Sequence, residues 1–311
     1  MNLLRLAVDD YLATRRALGF KLEGVGFALR SFVAFAEQEG TEVITSKLAL
    51  RWAAAPTQAQ PHRWTVRLGI LRRFARHHQA TDSRTEVPPE GLLPHSYHRR
   101  APYIYSDDDI ERLLAAAGTL SSSHGLRGRT YATLFGLLTV TGLRISEALG
   151  LDREDIDLRT GVLTIRHAKF GKTRYVPIHR TTCDALGRYA RNRDRIFPTL
   201  KIPAWFVSEQ CVRITKGTAE RTFHLLVRKI GLRGLSDRPG PRLHDFRHSF
   251  AVRTLLSWYR AGLDVERKMA HLSTYLGHVE IRDTYWYISA TPELLYWAAR
   301  RVDTPKTGGG E

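Results

Sequence analysis

Two runs of sequence decide how this chain is read: Leu243-His244-Asp245-Phe246-Arg247-His248-Ser249-Phe250-Ala251, and then Leu276-Gly277-His278-Val279-Glu280-Ile281-Arg282-Asp283-Thr284-Tyr285-Trp286-Tyr287. In both, histidines, an arginine or tyrosines lie among apolar residues patterned as core. On a helix, residues three apart share a face, so His244 and Arg247 would stand side by side. A proton acceptor beside the rigid fork of an arginine suits a phosphodiester. The plainer reading of the same residues is a helix end with a solvated arginine and a packed histidine.

Moving outward, Thr291, Pro292 and Glu293 open a last helix over Leu294 to Arg301. Leu294, Leu295, Trp297 and Ala298 form its apolar side, which packing on its own domain would bury. Residues 304–311, with three glycines, read as a disordered tail. Upstream, Pro239, Gly240 and Pro241 form a loop, and Thr218 is placed as the cap of a helix ending at Gly231. Val162–Arg166 and Arg174–Pro177 read as short strands joined by a loop with Lys169, Gly171 and Lys172. Ser106 with Asp109 makes a capping-box start. An apolar helix over 131–140 ends at Gly142, and Arg144 stands at the start of the next.

Residues 1–82 read as a purely helical domain. Gly19 and Gly40 close its first two helices, Ser46 caps a short third, and Pro61 opens a fourth. That fourth helix carries Arg63, Arg67, Arg72, Arg73 and Arg76 opposite Trp64, Leu68, Leu71 and Phe74. A clamp on a nucleic-acid backbone and a merely solvated face are both open at this point. Residues 83–102, with Pro88, Pro89, Gly91, Pro94 and Pro102, form a linker. Its His95, His98, Arg99 and Arg100 read as solvated charge. A second domain spans 103–303.

Lys plus Arg number 48 against 31 Asp plus Glu, a formal charge of +17 with a pI near 10.2. A polyanionic partner follows, nucleic acid first. The charge is spread along the chain, without the isolated basic amphipathic helix of a membrane-surface protein. The longest apolar run, Tyr131 to Leu143, falls short of the roughly 20 residues of a membrane span. Asp9 and Asp10 interrupt any signal-like start. Two cysteines, Cys183 and Cys211, build no disulfide framework. A cytoplasmic protein with no membrane partner is the expectation.

Thr141-Gly142-Leu143-Arg144-Ile145-Ser146-Glu147, Leu243-His244-Asp245-Phe246-Arg247-His248, and Leu276-Gly277-His278 with Tyr287 nine residues on resemble, in order and content, the tyrosine recombinases or phage integrases. The likeness covers about 102–295. Residues 1–82 are similar to that family's core-binding domain, though the pattern is generic. The branch carried by transposons is one placement.

The resemblance implies a mainly α fold with a small β-sheet: a helical DNA-binding domain and a mixed α+β catalytic domain. It also implies that Tyr287 attacks a DNA phosphate, forming a 3′-phosphotyrosyl link and releasing a 5′ hydroxyl. Arg144 and Arg247 would grip the non-bridging oxygens, His244 would act as acid/base, His278 would donate to the phosphate, and Lys169 would protonate the leaving oxygen. Glu147 would orient Arg144, and Lys172 would contact DNA. A free tyrosine titrates at about 10, so its phenolate costs roughly 4 kcal/mol at neutral pH, which a base and a cationic site must offset. Tyr285 is the rival nucleophile, but Tyr287 has the family's spacing from His278. His244 and His248 have the spacing of a zinc pair, without an HExxH pattern or paired cysteines, so no metal and no other cofactor is expected. The implied partners are double-stranded recombination sites, a homotetramer on paired sites and accessory proteins, and the resemblance favours docking of the apolar side of the last helix onto a neighbouring protomer. The implied location is the cytoplasm, on the nucleoid when bound. A type IB topoisomerase and an inactive architectural DNA-binding protein are the competing readings.

Overall fold

The computed structural model describes residues 2–93, 101–166, 173–234 and 240–303. The linker charges His95, His98, Arg99 and Arg100, the loop residues Lys169, Gly171 and Lys172, Pro239 and the tail 304–311 lie outside the described residues. The chain divides into two compact units, Met1–Arg100 and Ala101–Glu311.

The first unit holds α1 (Leu3–Ala17), α2 (Glu23–Gln38), α3 (Ser46–Ala54) and α4 (Pro61–His78). Leu4, Val8 and Leu12 of α1, Leu29, Phe32 and Val33 of α2, and Leu68, Leu71 and Phe74 of α4 recur at helical spacing and are buried together. Trp52 of α3 meets Phe32 edge-on at 5.4 Å. Each such side chain contributes about 1.5–3 kcal/mol. The exposed pairs Arg5–Glu37, Arg30–Asp9 and Arg51–Glu39 add at most about 1 kcal/mol each, so the apolar seam holds the unit. Pro61 opens α4 as expected. The cap of α3 is Thr45 rather than Ser46. Thr45 is the residue with extended backbone, and its Oγ1 accepts the Leu48 N–H at 3.1 Å.

The second unit starts with an extended strap, residues 101–106. It leads into α5 (Asp107–Gly118), whose capping box of Ser106 and Asp109 forms as expected. Then come α6 (Arg127–Thr141), α7 (Ile145–Gly150), β1 (Ile156–Asp157), β2 (Val162–Ile165), β3 (Arg174–Pro177) and α8 (Arg180–Ile196). The strands make an antiparallel sheet in the order β1-β2-β3, with Leu163 opposite Val176. Strand β1 is new, because two residues are too few to show an alternation. Next are α9 (Lys216–Lys229), α10 (Asp245–Arg260), α11 (Val265–Leu276), α12 (Arg282–Tyr285), a 3₁₀ turn at Trp286–Ala290, and α13 (Pro292–Asp303). Thr215, not Thr218, caps α9. Thr215 Oγ1 accepts the Thr218 N–H at 3.2 Å, so Thr218 is already helical.

Two apolar cores fill this unit. The larger gathers α5, α6, the sheet, α8 and α9. The smaller gathers Ala251, Val252 and Leu255 of α10, Met269, Leu272 and Leu276 of α11, and Tyr287 and Leu294. Helix α10 serves both, since its Phe246 lies in the larger. The apolar side expected of α13 is divided. Leu294 is fully buried and Trp297 and Ala298 pack on the smaller core of the same unit, while Leu295 and Tyr296 stay exposed. The fold is mainly α with a small sheet. Among the described residues no helix is long and apolar enough to cross a membrane.

Helices α6 and α11 both end on a left-handed glycine, Gly142 at φ +61° and Gly277 at φ +68°. A Cβ on Gly142 would stand 2.7 Å from the Phe250 ring, and one on Gly277 2.8 Å from the Arg174 guanidinium. Gly142→Ala should lower unfolding stability by about 2–4 kcal/mol, from left-handed strain plus overpacking. Gly150 has an ordinary φ and no neighbour within 4 Å of its would-be Cβ. Gly150→Ala should therefore cost less than about 0.5 kcal/mol. Denaturant titration of the whole chain measures the contrast.

Candidate active site

The two glycine-ended helices aim their last carbonyls at two arginines. Arg247, in the first turn of α10, is 1% exposed. Its Nη1 donates to Gly142 O at 3.1 Å and its Nη2 to Leu276 O at 2.7 Å. Arg144, the cap residue of α7, donates from Nη2 to Gly277 O at 3.3 Å. Helix C-termini carry unsatisfied carbonyls and the negative end of the dipole, so both cations sit where they are favoured. Burial nevertheless lowers the Arg247 pKa to about 10, with Tyr287 opposing the shift. It stays charged at neutral pH.

Glu147 holds Arg144 in place. Its carboxylate accepts the Arg144 N–H at 3.0 Å and Arg144 Nη1 at 2.9 Å. It also takes a bidentate bond from Arg174 of β3, at 3.0 and 2.8 Å. Arg174 Nε donates to Tyr275 O at 3.0 Å, which ties the sheet to α11. Burial opposes ionisation of Glu147, but the bonds and charges of Arg174 and Arg144 outweigh it and hold its pKa down to about 2.

Tyr287 lies in the 3₁₀ turn, 2% exposed, near Arg247. Its ring centroid is 5.4 Å from that of His248 and 5.9 Å from that of His278, the latter nearly parallel. His244 meets His248 edge-on at 4.8 Å. His278 Nδ1 and the buried Thr284 Oγ1 share a 2.7 Å hydrogen bond. The pKa values of His244 and His278 are pushed down to about 4, first by burial and then by Arg247 and Arg144, so both rings are neutral at pH 7. A cleft of about 440 Å³ opens beside the group, lined by Arg144, Lys216, Arg242 and His244 among others. Tyr285, the rival tyrosine, is 40% exposed and lines a different cavity with Tyr259, Asp264 and Met269.

Arg144, His244, Arg247, His278 and Tyr287 thus come together from α7, α10, the end of α11 and the 3₁₀ turn, with Glu147 behind Arg144. Lys169 and Lys172 lie outside the described residues. In the first unit, Arg63, Arg73 and Arg76 are exposed on α4. Arg67 and Arg72 are committed elsewhere. Arg67 lies 4.1 Å over the Trp52 ring and donates to Trp52 O, and Arg72 donates to Pro88 O and Pro89 O. Two contributors escaped the sequence reading. Arg174 read only as a strand residue, and Thr284 is one threonine in a short helix with no local signal.

Residues 104–293 match the phage integrase family. The chain belongs to that family. It is 48% identical over 307 residues to the putative integrase/recombinase y4rB of Sinorhizobium fredii, covering 97% of this chain and 98% of that one. The tyrosine recombinase XerD of Neisseria meningitidis is 30% identical over 205 residues, 66% of this chain and 64% of that protein. The Tn1549 transposon integrase, solved with transposon right end DNA, has the same fold, with a TM-score of 0.68 at 17% identity over 98% of this chain and all of that one. This phage integrase family member is accordingly an enzyme, a tyrosine recombinase.

The Glu147 pKa sets a pH test. A carboxylate held at about 2, below its ordinary 4.5, contributes fully above about pH 4.5 and loses its contribution as pH falls toward 2. The magnitude is on the order of 3 kcal/mol. Glu147→Gln should cost that much at pH 7 and flatten the acid limb of the stability curve. Denaturation at pH 3, 5 and 7 for parent and variant reads both.

Proposed function

We propose that this tyrosine recombinase cuts and rejoins DNA through Tyr287. One observation carries the reading: the Tyr287 ring packs against His248 and the neutral His278, near the buried Arg247, whose bonds among the described residues run to carbonyls and to no carboxylate. Tyr287 Oη attacks phosphorus and the bond to the 5′ oxygen breaks, leaving a 3′-phosphotyrosyl link and a free 5′ hydroxyl. The 5′ hydroxyl of a second strand then attacks the link and releases Tyr287, so bond energy is retained throughout. Arg144 and Arg247 bind the non-bridging oxygens. Such preorganised donors are each worth about 2.7–4 kcal/mol in a barrier. Neutral His244 takes the phenol proton. With the Thr284 hydroxyl donating to Nδ1, His278 carries its proton on Nε2 and donates it to the phosphate. Lys169 protonates the leaving oxygen.

In the free chain Arg247 bonds two backbone carbonyls, and DNA binding adds a stronger, charged acceptor to them. A relaxing topoisomerase and an inactive architectural protein are not favoured, given the integrase and recombinase relatives and the assembled residues. The likeness to a transposon integrase supports action on the ends of a mobile element, by integration, excision or transposition. Exchange between two duplexes cuts four strands, so a homotetramer on paired sites does the work, in the cytoplasm and on the nucleoid.

Tyr287→Phe should abolish the covalent adduct with a nicked suicide substrate and leave affinity within about twofold, because phosphate contacts elsewhere supply most binding. An adduct that persists in Tyr287→Phe and vanishes in Tyr285→Phe would transfer the role to Tyr285. The first unit also contributes to DNA affinity. Replacing Arg63, Arg73 and Arg76 with Ala should reduce the log–log salt slope of binding by roughly 0.9 per lost contact, whereas Arg67→Ala should chiefly lower the melting temperature.

A further inference from the structure

The strap that opens the second unit grips α10 along one side. Tyr105 is 1% exposed. Its hydroxyl donates to Arg242 O at 3.0 Å and its N–H to Ser249 Oγ at 3.0 Å. Its ring stacks on Phe246, with centroids 4.6 Å apart and planes 19° apart. Its carbonyl accepts Arg253 Nη2 at 2.8 Å. The four partners, 242, 246, 249 and 253, are spaced four, three and four apart, which is one stripe of a helix extended one turn past its N-terminus. His244 and Arg247 project from another stripe of the same turns.

The Arg242 carbonyl is the pivot of the turn that displays His244. It also accepts the Asp245 N–H at 3.0 Å. The buried Asp245 carboxylate in return accepts the Arg242 N–H at 2.9 Å and Arg242 Nη2 at 2.8 Å. Ser249, held by the strap, donates to Asp245 O at 2.9 Å. These bonds, which fix the backbone on either side of His244, thus lie in this turn or run to Tyr105. The strap is itself wedged: Tyr103 and Tyr105 face the larger core, and Ile104 packs on the smaller one that contains Tyr287.

We propose that Tyr105 is a positioning residue for strand cleavage, acting through the Arg242 carbonyl on the placement of His244. The proposal rests on the role given to His244. Tyr105→Phe is the sharp probe, since it keeps the stacked ring, the burial and both backbone bonds, and deletes one hydroxyl. In the full-length protein, single-turnover adduct formation on a nicked duplex should slow about tenfold, as misplaced catalytic groups do, with the dissociation constant for the same duplex within about twofold. The loss should depend on His244: in a His244→Ala background, Tyr105→Phe should change the rate by less than about twofold, because there is no imidazole left to misplace. Tyr105→Phe that cleaves at the parent rate would overturn the proposal, and so would an equal loss in both backgrounds, which would mark a general loosening of the unit. A His244→Ala protein that cleaves like the parent would instead remove the role of His244, and the brace with it.

Discussion

A buried guanidinium, Arg247, that among the described residues has no carboxylate partner is the constraint on which the second unit depends. Desolvating Arg247 costs several kcal/mol, as it does for any ion removed from water. A carboxylate partner would offset that cost but would also neutralise the charge that a phosphate must meet. The fold solves this with carbonyl oxygens, from Gly142 and Leu276, at the ends of α6 and α11. Those carbonyls are available because both helices stop on a left-handed glycine at that point. Phe250 and Arg174 close over the glycines so tightly that no side chain fits.

The acid in the neighbourhood is kept one layer back. Glu147 binds Arg174 with both oxygens while also reaching Arg144, so one carboxylate is shared by two arginines. On both rings the charges of Arg247 and Arg144 act against those of Asp245 on His244 and Asp283 on His278, and the net effect favours the neutral form. That field, on top of burial, is what keeps His244 and His278 neutral. Neutral rings suit opposite tasks: one can accept a proton and the other can donate a hydrogen bond without further charge. An anion bound beside them would oppose that field and make protonation of either ring easier.

How much of this could be read beforehand followed from how local each feature is. Helices with repeated apolar spacing, the capping box at Ser106 and the glycine stops were legible, because each is written within a few consecutive residues. The caps of α3 and α9 were missed by one and three residues, since two hydroxyl residues close together, Thr45 and Ser46 or Thr215 and Thr218, satisfy the pattern and only backbone conformation selects one. Arg144, His244, Arg247, His278 and Tyr287 lie together, while Lys169 lies outside the described residues. Arg174 and Thr284 were not legible, as their partners Glu147 and His278 are brought to them only by folding. For the same reason Arg67 and Arg72 looked like free surface charge, yet one stacks on Trp52 and the other closes on the carbonyls of Pro88 and Pro89. Basic spacing on a helix reports the charge and says nothing of internal acceptors.

The site falls on a seam. Leu143 and Leu243, next to Arg144 and His244, belong to the larger core, while Tyr287 belongs to the smaller. Close-packed cores move as bodies rather than deform, so the distance from Tyr287 to Arg144 and His244 depends on how the two are registered. Three connections set that register: α10, which sends Phe246 into one core and Leu255 into the other; Arg174, which runs from the sheet to the Tyr275 carbonyl; and the strap, whose alternate residues face opposite ways. Helix α13 bears on the same balance from outside, because burying Leu294 against α10 also backs the turn that carries Tyr287. A side chain that lies outside the chemistry can therefore alter the rate by shifting one core against the other, without touching any reacting atom.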